Sequence, residues 1–184
     1  VRCYQGSTND VLDRFYSALK TKRKTEFIVR LTSDCPLIDP KLIDEVVDFA
    51  IKTNYDYVSN TLEEKFPDGQ DIEVIKSEAL KISWEKSILK SDREHVTPFI
   101  WRNSTFFGKK IFSSKNFSFC EDLSFIRMTV DEKSDFDAIK ILVENLGLKN
   151  DWKIYSDFIL DNPSLFKNQK MKRNEGYSNS LKVD

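Results

Sequence analysis

The pattern of apolar and polar positions predicts that strands and helices alternate along most of the chain. Short apolar runs rich in β-branched residues are typical of buried strands, and they occupy residues 26–32, 55–58, 71–75 and 125–130. Apolar residues at helical spacing follow typical capping residues at four places: Asp10, Asp39-Pro40, Ser77 and Ser134-Asp135. This alternation predicts a three-layer α/β domain, Rossmann-like, with a mostly parallel central sheet.

Length and composition predict one ordinary domain. Residues 1–167 carry the periodic pattern, whereas residues 168–184 are polar without periodicity and predict a mobile C-terminal tail. The 29 basic and 30 acidic residues balance to a net charge of −1, which argues against a nucleic-acid binder. No apolar run approaches the roughly 18 residues of a membrane span. Three cysteines without CxxC spacing favour a reduced, cytoplasmic protein.

Candidate chemistry lies where predicted strands end in polar residues. Asp34 and Asp131 each follow an apolar strand directly. In open α/β sheets ligands bind at the carboxyl ends of the strands, so the two carboxylates are expected to meet at one edge. Such a pair suits Mg²⁺, which binds one or two carboxylates together with phosphate oxygens. The alternative is that each aspartate only caps the helix after its strand.

Six segments in order carry a further signal, and a seventh near the end, RNEGY (173–177), agrees with them. The six are GSTNDVLDRFY (6–16), VRLTSDCPLIDP (29–40), YVSNT (57–61), PDGQDIEV (67–74), REHVTP (93–98) and RMTVDE (127–132). Together they resemble the cytidylyltransferase family that includes the spore coat polysaccharide biosynthesis protein F group and the CMP-ketodeoxyoctonate synthetases.

The resemblance implies a nucleotidyltransferase fold related to GT-A glycosyltransferases, and a reaction. Family members join CTP to the anomeric hydroxyl of a sugar, usually an acidic one, and release pyrophosphate. The implied partners are therefore CTP and a sugar, with a second copy of the chain as a homodimer partner. By the same resemblance, Asp34 and Asp131 are the Mg²⁺ ligands, which agrees with the strand-end argument.

Other residues of these segments are expected to act beside the metal pair. Arg30, near the end of its strand, is predicted to be catalytic by facing phosphate or carboxylate; the alternative is a charge pointing out of the strand. Arg127 is in phase with Asp131 and is predicted to reach the substrate. His95 is the single histidine and is predicted to bind substrate, with a structural role as the alternative.

The sugar side of the site is assigned to two more pairs. Ser59 and Asn60 are predicted to bind sugar hydroxyls, although a turn explains them as well. Asp71 and Glu73 alternate with apolar residues, so both are expected on one face of a strand, lining the sugar pocket or facing solvent.

One departure from the family pattern changes the functional expectation. Members carry an N-terminal R-x-x-S-x-R-L-P-x-K loop that holds CTP, and nothing in this sequence matches it. The chain is therefore expected to be the C-terminal part of such an enzyme, with weak or absent turnover. Two alternatives remain: a non-catalytic module that binds sugar and dimerises, and a GT-A glycosyltransferase. The second is expected to show D-x-D after a strand, and Asp34-Cys35-Pro36 lacks the second carboxylate.

Overall fold

A mixed sheet lies between two groups of helices in the computed structural model, which describes residues 3–21, 25–170 and 173–184. Within these ranges the strands are β1 (Phe27–Arg30), β2 (Tyr57–Ser59), β3 (Glu73–Lys76) and β4 (Ser114–Asn116). Their order is β1-β3-β2-β4. Three of these strands share one direction, and β3, placed between β1 and β2, runs against both neighbours.

The helices fall before, between and after these strands. They are α1 (Val11–Lys20), α2 (Pro40–Thr53), α3 (Ser77–Lys86), α4 (Lys90–His95), α5 (Pro98–Arg102), α6 (Lys133–Leu146), α7 (Trp152–Asp161) and α8 (Glu175–Ser180). Short 3-10 turns cover Thr105–Phe107, Pro163–Leu165 and Lys167–Lys170.

The two faces of the sheet carry separate cores. Val58 and Val74 pack with α2, α6 and α7 on one face, whereas Tyr57 and Ile75 pack with α1, α3 and α5 on the other. This division follows from the two-residue period of a strand, which sends neighbouring side chains to opposite faces. The predicted three-layer α/β architecture is therefore confirmed.

The predicted N-terminal caps of α1 and α2 are confirmed by hydrogen bonds. Asp10 accepts a hydrogen bond from the Asp13 N–H at 2.9 Å, and Asp39 accepts one from the Lys41 N–H at 2.8 Å. Pro40 occupies the first turn of α2, where its missing N–H costs nothing. These interactions fix where α1 and α2 begin.

The predicted strand at 125–130 is not a strand of the sheet, and that prediction was wrong. Its backbone is paired with two loops instead. Asp68 N–H donates to the Ile126 carbonyl at 2.8 Å, Met128 N–H donates to the Asp68 carbonyl at 2.7 Å, and Val130 N–H donates to the Asp34 carbonyl at 2.9 Å. The apolar pattern arises because Ile126 and Met128 are fully buried.

The polar segment 168–184 contacts the rest of the domain where it is described. Asn168 is only 1% exposed, and its amide donates to Asp135 at 3.0 Å. Arg173 pairs with Asp71. The predicted mobility and the boundary at 167 stay predictions. Among the described residues, no helix combines the length and apolar character needed to cross a membrane.

Candidate active site

A cleft of about 860 Å³ opens beyond the end of β1. Seven of the nine residues predicted for the site line it: Arg30, Asp34, Asp71, Glu73, His95, Arg127 and Asp131. The topology thus brings together residues that lie up to about a hundred positions apart in the sequence. Their placement agrees with the predicted site, while their roles remain predictions.

Asp34 and Asp131 sit on two backbone segments that are bonded to each other. The Asp34 carbonyl accepts from the Val130 N–H at 2.9 Å and from the Thr129 hydroxyl at 3.2 Å. Asp131 follows Val130 directly, so the two carboxylates are attached one residue away from a hydrogen-bonded contact. Asp34 is half-buried and Asp131 is exposed at the cleft.

Arg127 is buried and holds three carboxylates. Its Nε and Nη2 donate to Asp135 at 2.9 Å each, Nη1 donates to Asp68 at 2.7 Å, and Nη2 donates to Asp131 at 2.6 Å. Arg127 was predicted to bind substrate, but its guanidinium is engaged with these neighbours. One of these partners is Asp131, and the predicted contact of Arg127 with substrate stays a prediction.

Asp135 anchors this network from the start of α6. It is fully buried and accepts bonds from the backbone N–H groups of Asp131 and Glu132 at 3.0 Å each. Burial on its own raises a carboxyl pKa, but the Arg127 guanidinium and the Glu132 N–H outweigh it and hold the pKa of Asp135 well below its usual range. The hydrogen bonds to Asp135 in turn raise the pKa of Arg127. The sequence had predicted a capping role for Asp135, and the structure adds this charge pairing.

Arg30 and Glu73 form an ion pair across the β1–β3 register. Tyr57 donates its hydroxyl to the other Glu73 oxygen at 2.5 Å. Burial, together with the neighbouring Glu73 charge, raises the pKa of Tyr57. Burial alone would lower the pKa of Arg30, but Glu73 raises it. Both carboxylate oxygens of Glu73 therefore bind protein partners, one Arg30 and the other Tyr57. Because Tyr57 holds Glu73, the ion pair fixes the orientation of Arg30 at the cleft wall.

Asp71 lies among other carboxylates that line the cleft. Burial raises its pKa to about 7, although the Arg173 charge opposes this and the Asp68 charge adds to it. Arg173 pairs with Asp71, and its Nε lies 3.6 Å from Glu64 and 3.8 Å from Asp68. One arginine from the C-terminal segment therefore compensates a group of carboxylates, which sequence reasoning did not identify.

His95 faces the cleft at the end of α4. Its Nε2 lies 3.0 Å from the Ser180 hydroxyl, and its ring meets Tyr177 edge-on at 5.2 Å between centroids. Burial lowers its pKa. The next residue, Val96, has φ +74° and ψ −52°, and the Thr97 N–H donates to the His95 carbonyl at 2.9 Å. This is a γ-turn of the strained, positive-φ kind, and it ends the helix directly after His95.

Ser59 and Asn60 do not line the cleft, and their predicted contact with sugar hydroxyls stays a prediction without support from this geometry. Ser59 is fully buried and donates to the Ile72 carbonyl at 2.9 Å. Asn60 is 1% exposed, donates to the Gln70 carbonyl at 2.6 Å and accepts from the Ile72 N–H at 2.9 Å. Both side chains are used to join the end of β2 to the segment before β3.

Gly69 and Gln70 of the PDGQ segment help to shape the cleft, although the sequence assigned neither residue a role. Gln70 is fully buried, donates to the Leu37 carbonyl and accepts from the Asp39 N–H, each at 2.9 Å, which ties it to the loop that carries Asp34. Gly69 has φ +103°, and a Cβ there would lie 2.7 Å from the Met128 carbonyl carbon. Only glycine permits this close approach of the two chains.

The chemical character of the cleft follows from its lining. Eight carboxylates line it, against two arginines that are both paired with carboxylates. The described residues contain no group of three or more His, Cys, Asp or Glu side chains arranged around a metal position. The arrangement suits a cation held by two carboxylates together with oxygens of a substrate.

Comparison with known proteins indicates the family of this chain. The cytidylyltransferase family model matches residues 1–157. An uncharacterised protein of Methanocaldococcus jannaschii is 37% identical over 166 residues, 90% of this chain and 65% of that protein. The spore coat polysaccharide biosynthesis protein SpsF of Bacillus subtilis is 29% identical over 153 residues, 82% of this chain and 60% of that protein.

A solved structure supports the fold. The cytidylyltransferase from Leptospira borgpetersenii matches with a TM-score of 0.81 and 29% identity, over 92% of this chain and 70% of that one. This chain thus spans about two thirds or less of the two sequence relatives.

Proposed function

Because the chain belongs to the cytidylyltransferase family, we propose that its cleft serves the transfer of CMP from CTP to a sugar hydroxyl, with release of pyrophosphate, in polysaccharide biosynthesis. The resemblance of its motifs supports an acidic sugar as the acceptor. The carboxylate-rich lining of the cleft argues in the other direction, so the sugar's charge is the first property to test.

The pairing of Asp34 with the segment of Asp131 carries the proposal. The backbone bond between Val130 and Asp34 brings two carboxylates to one cleft from positions that the sequence separates widely. Buried Arg127 then fixes one oxygen of Asp131 at 2.6 Å. A pair prepared in this way is expected where negatively charged phosphates must be bound through a cation.

The donor set fits Mg²⁺, which we propose as the metal. Two carboxylates without a histidine or thiolate among them form a hard-oxygen site, and Mg²⁺ usually takes one or two carboxylates and fills its remaining positions with water and phosphate. When bound, the ion would neutralise charge on the phosphoryl oxygens of CTP.

The chain's own residues would prepare that site before substrate arrives. Arg127 holds Asp131, and the Thr129 hydroxyl holds the carbonyl of Asp34. The Arg30 guanidinium, oriented by Glu73, lines the same cleft and is proposed to face the phosphates or a substrate carboxylate. Preorganised charges of this kind stabilise charge that develops in a transition state.

Pyrophosphate release tests the proposal. The chain is incubated with CTP, Mg²⁺ and each of N-acetylneuraminic acid, ketodeoxyoctonate and N-acetylglucosamine, and release is followed by a coupled assay. We expect slow release with an acidic sugar, and a loss of at least about 100-fold in Asp34→Asn and in Asp131→Asn, because metal-bound charge stabilisation is worth several kcal/mol.

Asp137→Asn is the matched control, since Asp137 is an exposed carboxylate outside the cleft. Release that survives both cleft substitutions would refute the metal assignment. A preference for N-acetylglucosamine would refute the acidic acceptor and leave CMP transfer standing. No release with any of the three sugars would refute CMP transfer to them by this chain.

We also propose a homodimer in a reducing, cytoplasmic compartment. The family resemblance supports the dimer, and the three unpaired cysteines, two of them exposed, support the compartment. Size-exclusion chromatography with light scattering is expected to give twice the 21.5 kDa chain mass. A mass of one chain at micromolar concentration would refute the dimer.

A further inference from the structure

The segment 173–184, here called the C-terminal wall, forms one side of the cleft although the family match ends at residue 157. It contributes a group of consecutive or nearly consecutive cleft-lining residues: Asn174, Glu175, Gly176, Tyr177 and Asn179. None of the comparisons assigns a role to these residues, and the structure places them in the same cavity as Asp34 and Asp131.

The C-terminal wall is fastened at its beginning. Arg173 pairs with Asp71, and it also donates to the Phe66 carbonyl at 3.1 Å. The Asn174 amide donates to Glu64 at 2.9 Å. These contacts place the first residues of the wall on the carboxylate-rich side of the cleft.

Its middle and end are fastened to α4. Ser180 donates to Glu94 at 2.9 Å and lies 3.0 Å from His95 Nε2. Asp184 accepts from the Ser91 hydroxyl and, at 2.8 Å, from the Ser91 N–H, and these two hydrogen bonds lower the pKa of Asp184. The wall is thus held along its length by side chains from the family-matched part of the chain.

Tyr177 is the aromatic centre of this wall. Its ring lies edge-on to His95 at 5.2 Å and to Trp101 at 5.9 Å, and its hydroxyl accepts from Arg102 at 3.2 Å. Tyr177, His95 and Trp101 all line the cleft. Aromatic groups beside a few placed polar groups are typical of small-molecule pockets, and rings offer flat apolar surfaces to the C–H groups of a sugar ring.

We propose that the C-terminal wall is the sugar-binding side of the cleft and that Tyr177 contacts the sugar ring and determines which sugars bind. The proposal rests on the proposed function, because that function supplies the sugar. It assigns the metal edge at Asp34 and Asp131 to the phosphates, and the aromatic group of Tyr177, His95 and Trp101 in the same cavity to the acceptor. Arg102 and His95 act as positioning residues for Tyr177.

Sugar binding measured without turnover tests this assignment. The chain is titrated with N-acetylneuraminic acid, ketodeoxyoctonate and N-acetylglucosamine, and dissociation constants are measured by saturation-transfer NMR. For whichever sugar binds, we expect Tyr177→Ala to weaken binding about tenfold or more, because truncating a central aromatic contact has effects of this size. Tyr177→Phe keeps the ring and is expected to stay within about threefold of the wild type.

Lys182→Ala is the matched control, because Lys182 belongs to the same segment, is exposed and lies outside the cleft lining. In the pyrophosphate assay, Tyr177→Ala should raise KM for the sugar and leave KM for CTP within about twofold. A rise in KM for CTP instead would assign Tyr177 to the nucleotide and overturn the proposal. Unchanged sugar binding in Tyr177→Ala, or no binding of any of the three sugars to the wild-type chain, would also overturn it.

The two proposals fail in different ways. Sugar binding that depends on Tyr177, without pyrophosphate release, would leave the C-terminal wall standing and refute the transfer activity. Pyrophosphate release that does not change in Tyr177→Ala would support the transfer activity and refute the proposed role of the C-terminal wall.

Discussion

Replacing Arg127 with methionine is expected to destabilise the fold by leaving a buried carboxylate unpaired. Methionine keeps much of the side-chain volume but removes the guanidinium that pairs with Asp68, Asp131 and Asp135. Arg127 is 5% exposed and Asp135 is fully buried. The substitution therefore leaves a buried carboxylate without its cation, while nearby apolar packing is largely kept.

The magnitude follows from the partners that remain. Asp135 loses two charge-assisted bonds and keeps three neutral donors, the N–H groups of Asp131 and Glu132 and the amide of Asn168. The lost bond to exposed Asp131 contributes little, because solvent screens it. Breaking a buried ion pair by removing one partner costs about 3–5 kcal/mol, so we expect Arg127→Met to lower the free energy of unfolding by that amount at pH 7.5.

The loss should depend on pH in a defined direction. In the wild type the pKa of Asp135 is lowered, so its contribution to stability is present above the unfolded-state value near 4 and is lost only at lower pH. In Arg127→Met the buried carboxyl lacks its cation, its pKa rises above 4, and the folded variant loses stability as the pH rises from there. The difference between the two proteins should therefore already be present near pH 4 and grow further toward pH 7.5.

Urea unfolding followed by far-UV circular dichroism measures both quantities. Lys133→Met is the control, because its ion pair with Asp137 is exposed and is expected to be worth less than about 0.5 kcal/mol. The double substitution Arg127→Met with Asp135→Asn should recover at least about 1 kcal/mol by removing the unpaired charge. A loss below about 1 kcal/mol, or a loss that does not change between pH 4.5 and 7.5, would refute the reasoning.

Two further predictions concern other parts of the cleft. Asp71→Asn should gain stability relative to the wild type as the pH rises from about 4 to 7, by at most about 4 kcal/mol. In the wild type the pKa of Asp71 is raised to about 7, so its protonated carboxyl stabilises the folded form at low pH. The wild type loses this stabilisation as the carboxyl ionises through that pH range. Urea unfolding at pH 4.5 and 7.5 measures it, and a constant difference would contradict it. Gly69→Ala should destabilise the chain by about 2 kcal/mol or more, because its Cβ would meet the Met128 backbone at 2.7 Å. Gly108→Ala, also at positive φ but with no atom within 4 Å, isolates the strain of φ alone at about 1 kcal/mol, and equal losses in the two would contradict the clash.

Local signals in the sequence were sufficient for part of this structure. Asp10 and Asp39-Pro40 mark the first turns of α1 and α2 through hydrogen bonds to residues two or three positions away, so a short window contains the cause. Asp34 and Asp131 were found because each ends an apolar run, and both runs lead to the same cleft. The family motifs supported the same pair.

Long-range pairing accounts for what the sequence did not show. Residues 125–130 have the apolar pattern of a strand, but their backbone pairs with the loops at Asp34 and Asp68, and no local rule distinguishes a loop partner from a strand partner. Ser59 and Asn60 lie at a strand end like the aspartates, yet their short side chains bond to the adjacent backbone. The C-terminal wall is polar and lacks periodicity because, apart from the ring contacts of Tyr177, it is held by hydrogen bonds and ion pairs rather than by an apolar face.

The γ-turn at Val96 has a consequence for attempts to make this protein more heat-resistant. A β-branched residue at positive φ stores about 1–3 kcal/mol of strain, while the fully buried Val96 side chain contributes a comparable amount through burial. Glycine at this position would relieve the strain and lose the packing, so screening for melting temperature alone would find the exchange nearly neutral. The exchange would nevertheless free the backbone that aims His95 at the cleft. Libraries built for thermostability should therefore keep position 96 fixed, or be scored for ligand binding as well.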